Sequence, residues 1–157
     1  MAGAAEGAER LRELVERILD ACDLKGEVEI TEDDETLRAN VEGEDLGLLI
    51  GRHGQTIDAL EHLGARVAFH GREAPKRVVV DAAGYRARRA GALERQADRA
   101  VEEALRFGRP VALDAAGPAE RRHVHEYLRD RTDVETYSEG DEPDRHLVVA
   151  PVVAEAS

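Results

Sequence analysis

Two glycines bracket a basic pair in the segment Gly51-Arg52-His53-Gly54, which follows an apolar run and precedes an apolar helical pattern. Because glycine has no Cβ atom, the backbone there can turn sharply and approach a ligand closely. A helix that begins directly after the loop presents free N–H groups and the positive end of its dipole, which favours a phosphate. Ile50 and Ile57 flank the loop with apolar surface for an unstacked base. The segment therefore predicts a phosphate-binding loop; the alternative is a structural turn that binds nothing.

A second candidate pair lies in the segment Arg121-Arg122-His123-Val124-His125. Arg121 and His125 are four residues apart, so on a helix they share one face and offer two donors to a single phosphate. The planar fork of arginine matches phosphate oxygens, and histidine adds a donor whose charge depends on pH. We expect Arg122 and Arg86 to contribute further phosphate contacts. The alternative is a surface pair on a solvated helix.

The histidines of this segment do not predict a metal site. On a helix, His123 and His125 diverge by roughly 200° because they are two residues apart, and no cysteine stands beside them. The chain also carries neither a Gly-x-Ser-x-Gly nor a Gly-x-x-x-x-Gly-Lys-Ser/Thr motif. We therefore expect no enzymatic activity, no cofactor and no small-molecule substrate.

The elements that position the glycine loop follow from hydrophobic periodicity. Apolar residues at helical spacing predict a helix over residues 6–24, and alternating residues predict two strands that form a hairpin around residues 31–35. After the loop, a helix predicted to end at Gly71 precedes a buried strand over residues 76–81. The predicted order of helix, strand, strand, helix, helix and strand is an α+β module with helices on one sheet face.

A second α+β module is predicted after the break at residues 82–84. A long helix over residues 86–107 is rich in arginine, and Pro118 opens a helix that we expect to end at about Arg131. One short strand lies between the two helices, and two closing strands follow the second helix. The predicted domains are residues 6–82 and 84–152.

The net charge of −12 argues against a nucleic-acid partner, but the charge is unevenly distributed. Residues 1–45 carry 5 basic and 15 acidic side chains, whereas residues 46–99 carry 10 basic and 6 acidic ones. Positive charge is thus concentrated in the segment that begins with the glycine loop. A local basic face in an acidic chain predicts modest affinity for a polyanion with a strong dependence on salt.

Composition also bears on location. The chain of 157 residues has no apolar run near 18 residues and no charged-then-apolar leader, so we expect neither membrane insertion nor a signal peptide. The single cysteine, Cys22, cannot form an internal disulfide, which fits a reducing cytoplasm. Because Cys22 falls on the apolar stripe of the first helix, we expect it in the core.

The order of these motifs resembles a known family. The loop from Leu49 to Leu60 is similar to the RNA-gripping loop of a KH domain, in which a Gly-x-x-Gly segment clamps four nucleotides. A second stretch that is similar to the family is Gly84–Arg89. The third consists of Glu120–His125 together with Tyr137–Pro143, and its Arg-x-x-x-His spacing is similar to that of an R-three-H domain, which is named for it. Together, over residues 8–151, they resemble the bacterial Jag family, also called EloR or KhpB.

The resemblance implies a cytoplasmic protein that binds single-stranded RNA, a type II KH-like module followed by a small R-three-H module, and a link to cell elongation and division. It implies as RNA-binding residues Ile50, Gly51, Arg52, His53, Gly54, Ile57, Arg86, Arg121, Arg122 and His125. The family loop usually has lysine after its first glycine; Arg52 preserves that charge. The chief alternative is a protein-interaction module that dimerises with itself or with a KH-only partner and binds little RNA, as the acidic first 45 residues favour.

Overall fold

A computed structural model describes residues 2–70, 75–115 and 117–153. Within these ranges the chain forms five α-helices and six β-strands, so the predicted α+β class is confirmed. The chain divides into two compact units, residues 1–86 and 87–157. The domain bounds inferred from the sequence stay a prediction. No helix in the described part of the chain is both long and apolar enough to cross a membrane.

The first unit has the predicted type II order of elements. They are α1 (Ala2–Ala21), β1 (Glu27–Glu32), β2 (Thr36–Glu42), α2 (Gly47–Ile50), α3 (Gln55–Ala68) and β3 (Arg77–Ala82). The sheet order is β1-β2-β3, with β1 antiparallel and β3 parallel to β2. Register follows the alternation of apolar residues, since Val28 lies opposite Val41 and Ala39 lies opposite Val80. The core-facing positions of the three strands therefore lie on one face of the sheet.

Helices α1 and α3 cover that face. Leu11, Val15 and Leu19 of α1 lie at i, i+4 and i+8 and are fully buried or nearly so. Two expectations are corrected here. Cys22 is exposed, because α1 ends at Ala21 and the residue after it lies beyond the last buried turn. The helical spacing after the loop also predicted Leu63 on the buried face of α3. It is instead 45% exposed, because the buried stripe of α3 consists of Ile57, Leu60, Gly64 and Ala68. The predicted stop at Gly71 lies outside the described residues; α3 itself ends at Ala68.

The second unit packs two helices on a small antiparallel sheet. Its elements are α4 (Tyr85–Phe107), which begins two residues before the unit boundary, β4 (Val111–Leu113), α5 (Pro118–Leu128), β5 (Val134–Glu139) and β6 (His146–Pro151). The sheet order is β4-β6-β5. Small residues of α4, among them Ala97 and Ala104, let that helix approach Val124 of α5 and Val149 of β6 in one core. Helix α5 ends at Leu128, three residues before the predicted Arg131.

Candidate nucleic-acid interface

The glycine loop connects α2 to α3 through a short 3-10 turn at Arg52–Gly54. Three of its four residues have positive φ: 74° at Gly51, 53° at His53 and 77° at Gly54. Gly51, with ψ 177°, occupies a region that is essentially restricted to glycine. His53, with ψ 29°, lies in the left-handed region, which histidine tolerates better than most residues. The backbone thus takes the shape that the two glycines were expected to allow.

Both glycines are also required by close packing. A Cβ atom on Gly51 would lie 2.8 Å from Cβ and 2.9 Å from the backbone nitrogen of Thr56. A Cβ atom on Gly54 would lie 2.8 Å from Cε1 of Tyr85. These separations are shorter than real Cβ contacts, so the loop closes against the first turn of α3 on one side and against Tyr85 on the other. No local pattern predicted that Tyr85 supports this loop.

The side chains of the loop are placed differently from one another. Arg52 is exposed, and no group within the described ranges forms a hydrogen bond or ion pair with its guanidinium. Ile50 is half-buried against the core. Ile57 is completely buried, so the prediction that it contacts a base is wrong: its side chain lies on the inner stripe of α3. Leu48, for which no role was predicted, is 64% exposed on α2.

Arg86 is engaged by the protein itself. Its Nε donates to the backbone oxygen of Val80 at 2.9 Å, its Nη1 lies 2.9 Å from Oδ1 of Asp58, and its Nη2 lies 2.8 Å from Oε1 of Glu61. The expectation that Arg86 offers its charge to a phosphate is therefore not met in this arrangement, because two carboxylates of α3 already take that charge. Arg86 instead joins α3 to β3.

Glu61 is the second member of this junction. Its Oε1 also accepts a hydrogen bond from the backbone N–H of Val80 at 2.9 Å. Burial raises the pKa of Glu61, against the lowering effects of the Val80 N–H group and the Arg86 guanidinium. Asp81, buried on β3, accepts hydrogen bonds from the backbone N–H groups of Ala82 and Arg86. It thereby provides an acceptor for one of the N–H groups in the first turn of α4, which have no partner within the helix. The junction is a structural network beside the loop.

Arg121 and His125 share a face of α5, as predicted, but that face packs on the β5–β6 hairpin. Nη2 of Arg121 donates to Oε1 of Glu142 at 2.8 Å, and Nη1 lies 3.4 Å from the backbone oxygen of Arg145. Arg121 is only 7% exposed. The expectation that it presents a free donor to phosphate is wrong, because the turn between β5 and β6 covers and engages its guanidinium.

His125 is half-buried, and its Nδ1 forms a hydrogen bond with Oγ1 of Thr136 on β5. It also borders an open cavity of about 400 Å³ between α5 and β5, whose rim carries Arg129 and Arg131. Arg131 pairs with Asp133, with 2.7 Å between Nη2 and Oδ2. Arg122, the neighbour of Arg121 on the helix, is exposed. Of the predicted R-three-H residues, Arg122 and His125 are therefore the ones that a ligand can reach.

Another arginine of the arginine-rich helix α4 forms an ion pair within the protein. Arg89 forms a two-point contact with Glu120, with 2.6 Å between Nε and Oε1 and 3.0 Å between Nη2 and Oε2. Both side chains are about 15% exposed, and the pair joins α4 to α5. No local pattern predicted this pair, because the two residues lie 31 positions apart. Part of the arginine density of α4 thus stabilises the second unit.

Two separate stretches of the chain match known family models. The family model "KhpA/KhpB, KH domain" matches residues 8–81, and the R-three-H domain model matches residues 91–151. A protein named RNA-binding protein KhpB from Clostridium symbiosum is 35% identical over 140 residues, which is 88% of this chain and 63% of that relative. The chain belongs to the Jag/KhpB family.

Other KhpB relatives agree with this assignment. The RNA-binding protein KhpB of Bacillus subtilis is 32% identical over 87% of this chain and 66% of its own length. That of Lactiplantibacillus plantarum is 41% identical over 66% of this chain and 32% of its own length. The chain thus spans between about a third and about two thirds of the curated KhpB proteins that it matches. Within the described residues, no cluster of three or more His, Cys, Asp or Glu side chains fits a metal ion.

Proposed function

We propose that this KhpB-family chain binds single-stranded RNA through the loop Gly51–Gly54. The observation that carries the proposal is the exposed guanidinium of Arg52 on a loop whose backbone two glycines hold open at the start of α3. That helix has 14 residues, and its N-terminal N–H groups and dipole favour an anion at the same point. A short stretch of sugar-phosphate backbone would lie across the loop.

Apolar surface beside the loop supports recognition of unpaired bases. Leu48 is 64% exposed and Ile50 is half-buried, both on α2 directly before the loop. Bases that are splayed out of a single strand would lie on these side chains while the phosphates meet Arg52. A duplex of A form keeps its base edges within its grooves, so it would gain only the phosphate contacts.

The second unit would add contacts of its own through Arg122 and His125, with Arg129 beside them at the rim of the cavity. Arg121 would act as a positioning residue: its bond to Glu142 holds the β5–β6 turn against α5. Arg86 would likewise position α3 and the loop through Asp58 and Glu61. In this division of roles, the exposed arginines contact RNA, and the two ion-paired arginines, Arg86 and Arg121, hold the surrounding elements in place.

The cellular part of the proposal rests on the family. We infer a post-transcriptional regulator in the cytoplasm, linked to cell elongation and division, that binds RNA without catalysing its cleavage. The relatives carry the name RNA-binding protein KhpB, and the name of the matching KH model covers both KhpA and KhpB proteins. A partner that consists of a KH domain alone is therefore part of the proposal.

A protein-interaction module is the second candidate, and exposed apolar side chains of the first unit favour it. Leu48 is 64% and Leu63 is 45% exposed, and residues 1–45 carry 15 acidic side chains that repel RNA. In this alternative, the KH-like unit pairs with a second copy or with a KH-only partner and makes little contact with RNA. Analytical ultracentrifugation at several protein concentrations distinguishes it from the first.

The loop is tested by replacing its variable pair rather than its glycines. Asp at Gly51 or Gly54 would clash with Thr56 or Tyr85 and disturb the fold, which confuses the result. The variant Arg52→Asp with His53→Asp places two carboxylates where phosphate is expected, and Asp tolerates the left-handed conformation at position 53. We expect binding of a labelled single-stranded oligouridine, measured by fluorescence anisotropy, to fall at least about tenfold.

Two further variants make this test specific. Arg52→Gln with His53→Asn removes charge without reversing it and should give an intermediate loss. Arg17→Asp, at an exposed position of α1, is the control for reversing one positive charge. If the double Asp variant binds as tightly as the unsubstituted chain while its circular dichroism is unchanged, the loop does not bind RNA. If the unsubstituted chain binds no oligouridine at low salt, the protein-interaction candidate takes its place.

A further inference from the structure

The C-terminal end of α4 carries an aromatic ring that the core does not use. Phe107 is 59% exposed, the highest value among the five aromatic residues of the chain. Leu105, two positions earlier, is 43% exposed, and neither residue belongs to the core of the second unit. Gly108, with φ 63°, ends the helix directly after the ring. Phe107 is thus the most exposed of the few aromatic side chains of the chain.

Two arginines accompany the ring. The guanidinium carbons of Arg106 and Arg109 each lie 5.4 Å from the centroid of Phe107, within the distance of a cation–π contact. Arg109 also pairs with Glu103, with 3.2 Å between Nη2 and Oε1. Both members of that pair are about half exposed or more, so water screens their attraction and a phosphate can replace the carboxylate. We name Phe107, Arg106 and Arg109 the aromatic–arginine cluster.

We infer that the aromatic–arginine cluster is a stacking site for one base of a single-stranded RNA. An exposed aromatic ring accepts any base by stacking, and arginines beside it supply both cation–π attraction and donors for the flanking phosphates. The two guanidinium groups beside the ring supply the donors for phosphate oxygens that a patch of apolar side chains alone would lack. The inference rests on the proposed RNA binding and adds a site that neither the loop nor the Arg-x-x-x-His motif contains.

The charges around the cluster set its expected behaviour. Glu102 and Glu103 lie on the same end of α4 and offset the two arginines, and the helix C-terminus adds partial negative charge. Stacking on Phe107 therefore supplies most of the affinity at this site. Loss of the ring should weaken binding with little change in the dependence on salt, whereas loss of Arg106 should reduce that dependence.

The test uses the full chain and two probes: a labelled single-stranded oligouridine and an abasic oligomer with the same phosphodiester backbone. We expect Phe107→Ala to weaken binding of oligouridine by about fivefold or more and to leave binding of the abasic oligomer unchanged. Phe107→Leu keeps apolar volume without a ring and should weaken oligouridine binding as Phe107→Ala does. Arg106→Gln should lower the slope of log affinity against log salt by about 0.7. Tyr127→Ala, at another exposed aromatic position, is the control.

A second measurement does not depend on affinity. The chain contains no tryptophan, so Phe107→Trp introduces a single tryptophan at the cluster, which can be excited selectively on the red side of tyrosine absorption. Its emission should be quenched when oligouridine binds and unaffected by the abasic oligomer. No quenching, or a Phe107→Ala variant that binds oligouridine like the unsubstituted chain, overturns the inference and leaves the loop proposal intact. If Phe107→Ala instead dissociates an oligomer without changing RNA affinity, the cluster is a protein interface. If the unsubstituted chain binds no RNA, both proposals fail.

Discussion

The guanidinium of Arg121 lies 2.8 Å from the carboxylate of Glu142, in the turn that joins β5 to β6. The first residue of the Arg-x-x-x-His motif is therefore buried and ion-paired, and it does not present an exposed donor. His125, one helical turn later, bonds to Thr136 on the first strand of the same hairpin. The motif therefore joins a helix to a hairpin at two points, and of its two residues only His125 also borders an open cavity.

Replacing Arg121 should lower the stability of the fold, because its guanidinium is buried and hydrogen-bonded. We expect Arg121→Met, which keeps the aliphatic packing, to lower the free energy of unfolding by about 1 to 3 kcal/mol, since charge-assisted hydrogen bonds are lost. Arg122→Met, at the exposed neighbouring position, should change it by less than about 0.5 kcal/mol. Equilibrium urea denaturation followed by circular dichroism measures both. Equal stabilities, with RNA affinity lost only in the Arg121 variant, would make Arg121 a direct contact instead.

The glycines of the chain form a matched series. Gly47→Ala adds a Cβ atom into open space at ordinary φ, Gly108→Ala adds one into open space at φ 63°, and Gly54→Ala adds one at φ 77° against Tyr85. We expect stability to be unchanged or improved in the first and lowered by about 1 to 2 kcal/mol in the second. The third should be lowered further, because Tyr85 must also move. Thermal and urea denaturation give the order, and a Gly54→Ala variant as stable as Gly108→Ala would show that the Tyr85 contact relaxes freely.

The raised pKa of Glu61 predicts a pH dependence with a definite sign. Burial raises this pKa above the value in the unfolded chain, so the folded state binds the proton more tightly. The contribution of Glu61 to stability is then fully present at low pH and is lost as the pH rises through the raised pKa. The stability of the unsubstituted chain relative to Glu61→Gln should therefore decrease from about pH 4 to about pH 7.

Urea denaturation of both proteins across that range measures the difference, and carbon NMR of the Glu61 carboxyl group reports its titration directly. Glu13→Gln, at an exposed position of α1, controls for the loss of one negative charge. A difference that grows with pH would mean that the Arg86 and Val80 contacts outweigh burial.

Arg86 should couple unequally to its two carboxylates. The side chain of Glu61 is 22% exposed and that of Asp58 is 59% exposed, while both lie within 3 Å of the guanidinium. Because solvent screens the more exposed pair, double-mutant cycles with Ala should give a coupling free energy below about 1 kcal/mol for Asp58 and a larger one for Glu61. A larger coupling free energy for Asp58 than for Glu61 would contradict this prediction, because the more exposed ion pair would then contribute more to stability.

Much of the fold is readable from local patterns. Alternation at Val28 and Ile30 and at Leu37, Ala39 and Val41 predicted β1 and β2, and both strands are present and pair as a hairpin. The spacing of Leu11, Val15 and Leu19 predicted the buried stripe of α1. Such patterns succeed because burial of one face of a helix or strand requires a fixed period within a few neighbouring residues.

The site is only partly readable in this way. The glycine pair predicted a sharp turn, and both glycines have positive φ, a conformation that glycine adopts readily because it has no Cβ atom. Ile57 was misplaced because one residue of a helix faces either the core or the solvent, and the sequence around it fits both. Cys22 was misplaced because helix ends are the least certain positions of a pattern, and α1 ends one residue before it.

The sequence by itself thus determined the order of helices and strands, the loop at Gly51–Gly54 and the family. Only the tertiary structure decided which arginines are available to a ligand. Arg121 is held by Glu142, 21 residues away, and Arg89 by Glu120, 31 residues away, whereas Arg52 and Arg122 remain exposed. The physical reason is that a guanidinium carries the same charge in every case, and its partner is set by how distant segments pack, which no local pattern encodes.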